Sequence, residues 1–415
     1  MRFLQINSVC GIGSTGRIAT DIHAILKDQG HESYIAYGRD RAMNCDSAIR
    51  IGNKLDNYTH VAKTRIFDKH GFGSRIATND FIRKVKELDP DVIHLHNIHG
   101  YYINVEILFK YLKEAEKPVV WTLHDCWAFT GHCTHFEYVG CECWKIEGFH
   151  KCIQKETYPA SYLFNNSRDN YDRKRKAFTG VENLTIVTPS NWLASIVKQS
   201  FLSEYPIKVI NNGIDLGVFK NTDSTLRKKY GLENKFLILG VANVWSQRKG
   251  YDIFIELSKQ LKHDEVIIMV GLSEKQLRNL PKNIIGINRT SNVHELAGIY
   301  STADVFINPT FEDNFPTTNL EALACGTPVI TFNTGGSVES IDGSCGFVVE
   351  KGNLKELKEK IELIKSRVEL NFSQAALDRV KRLYSKEDRF NDYIKLYQSV
   401  YKYNKEFKEE SYKIT

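Results

Sequence analysis

The protein has 415 residues, 42% of them hydrophobic and 26% charged, and carries a net charge of +6. That length and balance describe a soluble globular protein of two or three domains, and no apolar run approaches the roughly 20 residues of a membrane span. Nothing at the start resembles a signal peptide. With nine cysteines, an odd number, a disulfide framework is disfavoured and a cytosolic chain is expected.

Basic residues cluster at Arg83 to Lys86 and at Arg168 to Lys176. A solvated helix face is the plain reading of each cluster, and an anionic membrane surface is the functional one. Nucleic-acid binding is disfavoured, because no aromatic-interleaved basic motif accompanies the charge.

The first elements read as strand Phe3 to Asn7, a glycine loop (Cys10-Gly11-Ile12-Gly13-Ser14-Thr15-Gly16-Arg17), and a helix with Ile18, Ile22, Ile25 and Leu26 at helical spacing. Glycines permit tight turns and close backbone approach to a ligand. Ser14 is a plausible cap that leaves amides free for a phosphate. A simple tight β–α turn explains the loop equally well. Residues 53 to 88 read as helical and polar. Strand Asp91 to His96 follows, with Asn97 and His99 just beyond its carboxyl end, where open parallel sheets place ligands. Strand Pro118 to Leu123 ends in His124-Asp125. Such a histidine can orient a hydroxyl or shuttle a proton, or simply pair with its aspartate.

Residues 125–158 form an insert holding five of the nine cysteines. A segment that long with few elements of its own needs a staple. Zinc on three cysteines and a histidine, or on four cysteines, would supply one, with Cys133, Cys141, Cys143 and Cys152 as candidate ligands. Free buried thiols and redox chemistry are the alternatives. Trp127, Phe129, Phe136, Tyr138 and Trp144 offer a surface for sugar rings or for the domain itself. A long basic helix is expected over Tyr162 to Lys176.

A second β–α series opens with strand Phe236 to Ala242 and the loop Asn243 to Gly250, which carries Arg248 and Lys249. Cations there suit a diphosphate. Strand Asn283 to Ile287 precedes Asn288-Arg289. Ser385-x-x-Asp388 caps a last helix with a packing face of Phe390, Tyr393, Ile394, Tyr397, Val400 and Tyr401.

The most informative stretch is Asp304 to Thr331. It reads as strand, loop, helix, strand, with Asp313 and Glu321 flanking the helix start, seven residues between them. Two acceptor-only carboxylates near free backbone amides suit a polyhydroxyl ligand that also bears negative charge. An ordinary cap and a helical Glu would look the same in isolation. The whole pattern, followed by Ala322, Ala324, Gly326, Pro328 and Val329, resembles the nucleotide-sugar site of retaining family 4 glycosyltransferases of the GT-B fold. Asp313 stands where that family usually has its first Glu, and Glu312 is a second candidate for the part. His124-Asp125-Cys126-Trp127, with the opening Asn7 to Arg17, resembles the capsular and exopolysaccharide subgroup that includes enzymes of colanic acid assembly.

The resemblance implies an α/β architecture. Two Rossmann-like β/α/β domains face each other across a cleft, and a C-terminal helix crosses back to the first. The expected bounds are residues 1–205 for the acceptor-side domain, 206–385 for the nucleotide-sugar domain, and 386–415 for the crossover helix and tail. It implies catalytic parts for His124, Arg248, Lys249, Asp313 and Glu321. Donor contacts are implied at Gly13, Gly16, Asn243, Ile287, Arg289, Asn314, Phe315 and Thr318. Acceptor contacts are implied at Arg17, His96, Asn97 and Asp125. Asn243 takes the place of the family's usual Arg, with Arg248 as the second cation. The implied partners are a UDP- or GDP-type sugar, a glycan or lipid-linked glycan acceptor, and an anionic membrane inner face. No cofactor is required for catalysis. A sugar-nucleotide epimerase or hydrolase of the same fold, and a non-catalytic carbohydrate- or membrane-binding protein, are the other classes compatible with the sequence.

Overall fold

The computed structural model describes residues 1–145, 151–366 and 371–414. The chain divides into two units, one of residues 1–210 joined by the final helix from Phe390 onward, the other Asn211–Arg389.

The first unit is built on β1 (Arg2–Asn7), β2 (Glu32–Tyr37), β3 (Ala48–Arg50), β4 (Val92–Leu95), β5 (Val119–Thr122), β6 (Leu184–Thr188) and β7 (Ile207–Val209). They form one sheet in the order β3-β2-β1-β4-β5-β6-β7, every pair parallel. Each residue of β4, β5 and β6 is buried, whereas no residue of β3 or β7 is. That gradient is what helices on both faces of a parallel sheet produce, and it explains the unbroken apolar runs of the central strands. One face carries Phe3, Ile22, Val92 and Val120 against Phe390, Tyr393, Ile394 and Tyr397 of the final helix, Lys386–Ile414. The expected return of this helix to the first domain is therefore present, and Ser385 Oγ accepts from Asp388 N as its cap. β3 went unforeseen, since three half-buried residues carry too short an alternation to read.

The second unit has β8 (Phe236–Val241), β9 (Glu265–Val270), β10 (Ile284–Ile287), β11 (Val305–Asn308), β12 (Val329–Phe332) and β13 (Gly346–Val349), in the order β10-β9-β8-β11-β12-β13, again all parallel. Both sheets reverse their strand order once, between β1 and β4 in the first and between β8 and β11 in the second. Such a switch leaves a crevice at the carboxyl ends of the two strands.

Three local expectations need correction. Ser14 is not a cap: the helix begins at Gly13 with Ile12 before it, and no side chain caps it. The long basic helix begins at Ser167, not Tyr162. Residues 162–164 instead run alongside the end of the helix Lys54–Phe67, with Tyr162 N bonded to Arg65 O and Phe164 N to Ile66 O. Its basic run is only partly solvated. Lys174 is fully buried with Nζ on Trp127 O at 2.6 Å, and Arg173 grips Glu106 through two hydrogen bonds while lying over Phe72. Of the two roles expected for the insert's aromatic residues, packing on the domain itself is the one observed. Trp127, Phe129, Phe136 and Trp144 join the core of the first unit, leaving Tyr138 exposed.

Candidate active site

In the second unit the reversal point sets the loop after β8 beside the loop after β11. The two are joined by a hydrogen bond from Phe311 N to Arg248 O at 2.8 Å. Gly250 makes this approach possible. Its φ is +76°, and a Cβ there would sit 2.3 Å from Pro309 O, which no side chain tolerates. The joined loops pair two cations with two acids. Lys249 Nζ lies 2.6 Å from Asp313 Oδ2, and Arg248 Nε lies 3.4 Å from Glu312 Oε1. Glu312, weighed as a substitute for Asp313, is buried, whereas Asp313 keeps partial access to solvent. The shorter acid is thus the better placed of the two to meet a ligand.

Glu321 sits on the second turn of the helix Thr317–Ala324 and is 6% exposed. Tyr300 donates its phenol proton to Glu321 Oε2 at 2.9 Å, and burial beside this carboxylate drives the phenol pKa well above its usual value. Asn319 locks the helix in place. Its amide donates to Ser337 and Ser340, and its carbonyl accepts from Asn308 of β11. The helix N-terminus thus opens directly after Asn314 and Phe315, with Thr317 and Thr318 half-buried in its first turn. Four backbone amides at such an end lack intrahelical partners, which makes it a natural place for anionic or hydroxyl-bearing groups. Neither Tyr300 nor Asn319 was singled out from the sequence. A Tyr and an Asn inside apolar helices give no signal until the partner is in view. Asn243 and Arg289 are exposed in loops after β8 and β10, and Ile287 is half-buried at the end of β10.

At the reversal point of the first unit, the glycine loop follows β1 and Asn97 follows β4. Gly11 closes the loop with N bonded to Gly16 O at 3.1 Å. A Cβ on Gly16 would lie 3.1 Å from both Gly11 N and Val9 Cγ2, while a Cβ on Gly13 would meet nothing within 4 Å. Gly16 therefore serves the turn, and Gly13 leaves backbone open. Arg17 projects to solvent.

His96, Asn97, His124 and Asp125 line one small crevice together with His99 and Trp127. A chain of hydrogen bonds orders it. Ala19 O accepts from Gln5, Gln5 Oε1 meets His96 Nε2 at 3.0 Å, and His96 Nδ1 meets His124 Nε2 at 3.1 Å. Burial pulls the His124 pKa down to about 4, with His99 repulsion adding to it and Asp125 opposing it. Asp125 does not hold His124; it bonds His99 Nε2 at 2.8 Å and Trp127 N at 2.9 Å. Burial opposes its ionisation, yet His99 and these bonds hold its pKa down to about 2. His99 is thus the true partner of Asp125. The sequence noted it only as lying past a strand end. His94 serves the fold, bridging Thr122 and Tyr397.

Of the five insert cysteines, Cys133 neighbours Cys152 and Cys141 neighbours Cys143, with Cys126 also close enough to act on Cys133. Among the described residues, no three metal-binding side chains of the insert gather within 4.8 Å.

The sequence of both units matches known families. Residues 15–218 match the model described as Glycosyltransferase Family 4, and residues 235–366 match that described as Glycosyl transferases group 1. The two matches take in most of each unit. With the paired parallel sheets they make the chain a glycosyltransferase of the GT-B fold.

Among individual relatives, the Escherichia coli protein WcaC, named for glycosyl transfer in colanic acid biosynthesis, is 24% identical over 96% of this chain and 100% of its own length. CapM of Staphylococcus aureus, a capsular polysaccharide biosynthesis glycosyltransferase, is 27% identical over 40% of this chain and 48% of its own. The solved glycosyltransferase of Rickettsia africae superposes with a TM-score of 0.67 at 18% identity, covering 96% of this chain and 98% of that one. HepE of Anabaena, solved with UDP-glucose, gives 0.65 at 15% identity over 96% and 100%. Such distant structures speak for the fold alone.

Proposed function

We propose that the protein is a retaining glycosyltransferase that moves a sugar from a nucleoside-diphosphate sugar to a glycan or lipid-linked glycan acceptor in capsular or exopolysaccharide assembly. The observation that carries this reading is the coupled loop pair of the second unit. Two cations and an accessible carboxylate stand at a helix N-terminus, at the sheet's reversal point, with Glu321 buried one turn into the helix. Lys249 and Arg248 would neutralise the leaving diphosphate, Asp313 and the amides after Asn314 would hold the sugar hydroxyls, and Glu321 would accept from the ribose. The leaving diphosphate is of UDP or GDP type; HepE, which shares the fold, is solved with UDP-glucose.

In the proposed step the bond from the sugar's anomeric carbon to the leaving phosphate oxygen breaks. The acceptor oxygen bonds that carbon on the same face, and its proton passes to the departing phosphate. His124, neutral at physiological pH because burial pulls its pKa down to about 4, orients a hydroxyl rather than supplying charge. Arg17, His96, Asn97 and Asp125 would meet the acceptor. The chemistry draws its cations from the two basic side chains.

A lipid-linked acceptor would bring the enzyme to a membrane. Ile66, Phe67, Leu163 and Phe164 support that reading as an exposed apolar set, with Phe67 and Phe164 stacked at 5.6 Å. No helix among the described residues is long and apolar enough to cross one.

The test is a thermal-shift screen of UDP- and GDP-sugars, because a ligand that binds only the folded form raises apparent stability. Turnover of the hit with candidate acceptors follows, with the anomeric configuration of the product read by NMR. Retention at the new bond supports the reading and inversion refutes it. Epimerised or hydrolysed sugar formed from donor alone, at the rate seen with acceptor, would assign the protein to the other enzyme class.

A further inference from the structure

Away from the loops just described, three metal-binding side chains converge. They are His23 on the helix Gly13–Asp28 and Cys45 and Asp46 on the connection between β2 and β3. His23 Nε2 lies 3.3 Å from Asp46 Oδ1 and 3.7 Å from Cys45 Sγ, and the three donor atoms all fall within 4.8 Å of one another. Zinc bonds of ~2.3 Å to sulfur and ~2.0–2.1 Å to nitrogen and oxygen, at tetrahedral angles, require N···S and N···O edges of about 3.5 Å and 3.3 Å. The two edges from His23 Nε2, 3.3 Å to oxygen and 3.7 Å to sulfur, are close to these values.

The surroundings are those of a built site. His23 Nδ1 is bonded to Ser33 Oγ at 2.9 Å in the buried interior, which fixes the ring and aims Nε2 at the other two donors. Ser47 Oγ donates to Asp46 Oδ1 at 2.9 Å, and Lys27 Nζ stands 3.5 Å from Asp46 Oδ2. Cys10, buried in the glycine loop, has its thiol against Cys45, so a second sulfur adjoins the group. The donors run from buried His23 through half-buried Cys45 to exposed Asp46, which gives an ion a way in. A thiolate, an imidazole and a carboxylate suit zinc better than a hard cation.

We propose that His23, Cys45 and Asp46 bind a zinc ion, with Cys10, whose thiol adjoins Cys45, as a candidate fourth donor. The ion would clip the glycine loop to the segment that supports it. That segment already leans on the loop. Met43 N bonds Cys10 O at 3.2 Å, and a Cβ on Gly11 would strike Met43 O at 2.2 Å. Locking residues 42–46 therefore locks the turn that carries Gly13 and Gly16. This site is independent of the transferase reading and shares no residue with the insert's cysteines.

The test uses the full chain, purified under reducing conditions and loaded with zinc or cobalt(II), then dialysed. The wild type should hold one more equivalent of zinc by elemental analysis than Asp46→Asn and Cys45→Ser. Its cobalt form should show a sulfur-to-metal charge-transfer band that Cys45→Ser weakens and Cys133→Ser does not. Asp46 is exposed, so Asp46→Asn should fold, with circular dichroism as the check. Chelation should speed amide exchange across residues 39–47 of the wild type, with no such change in Asp46→Asn. Equal zinc content in wild type and Asp46→Asn would overturn the proposal. So would a Cys10–Cys45 disulfide that persists under reduction, seen as the loss of two hydrogens by mass.

Discussion

Replacing Lys249 with alanine removes the ammonium that stands 2.6 Å from Asp313, with the two side chains 26% and 19% exposed. Two unit charges at ~4 Å interact by about 4 kcal/mol at an effective dielectric near 20. That is an upper bound on what Lys249 gives a developing phosphate charge. Removing one such transition-state contact typically costs ~10²–10³ in kcat, or about 2.7–4 kcal/mol, which fits under the bound. The same ion pair adds little to folding, about 0–1 kcal/mol for a partly exposed pair. In a unit of this size that moves Tm by no more than about 4 °C. Lys249→Ala should therefore lose ~10²–10³ in nucleoside-diphosphate release with donor and acceptor present, while melting close to wild type. Asp313→Asn and the double variant complete a cycle. If both side chains act on one bound donor, their losses should be less than additive. A folded Lys249→Ala within tenfold of wild-type turnover would refute the assignment.

Glu321→Ala should lower kcat by ~10²–10³ on the same reasoning. Tyr300→Phe, which removes the proton donated to the buried carboxylate, should cost about 1–3 kcal/mol, read as weaker donor binding by calorimetry. Gly250→Ala combines a left-handed backbone with a clash at Pro309 O; a loss of about 1–3 kcal/mol is expected from urea unfolding. Acid should destabilise the first unit before any carboxylate titrates. His60, held at about 3 by burial and Lys63 repulsion, and His124, held at about 4 by burial and His99 repulsion, bind fewer protons folded than unfolded. Their contribution is therefore complete above the unfolded pKa near 6.5 and is lost as pH falls toward the folded values. At pH 5 each should have lost about 2 kcal/mol. The urea midpoint should fall between pH 7 and 5, and a flat midpoint would contradict the burial of these rings.

The sequence by itself determined the repeating β–α plan, the capping of the last helix at Ser385, and the candidate pair Asp313 and Glu321. Each of these lies in a local pattern: an apolar run, a turn residue, a fixed spacing within one helix. The tertiary structure decided the partners. Asp125 sits next to His124 in the chain yet bonds His99, which the end of a neighbouring strand brings to it. The long basic run reads as solvated, yet Lys174 is interior, since its helix packs that face on Trp127. Cys45 and Asp46 carry no motif, and only the fold brings His23 across to them from the first helix. Pairings between residues far apart in the chain follow from strand order, and side-chain chemistry read along a single segment does not encode that order.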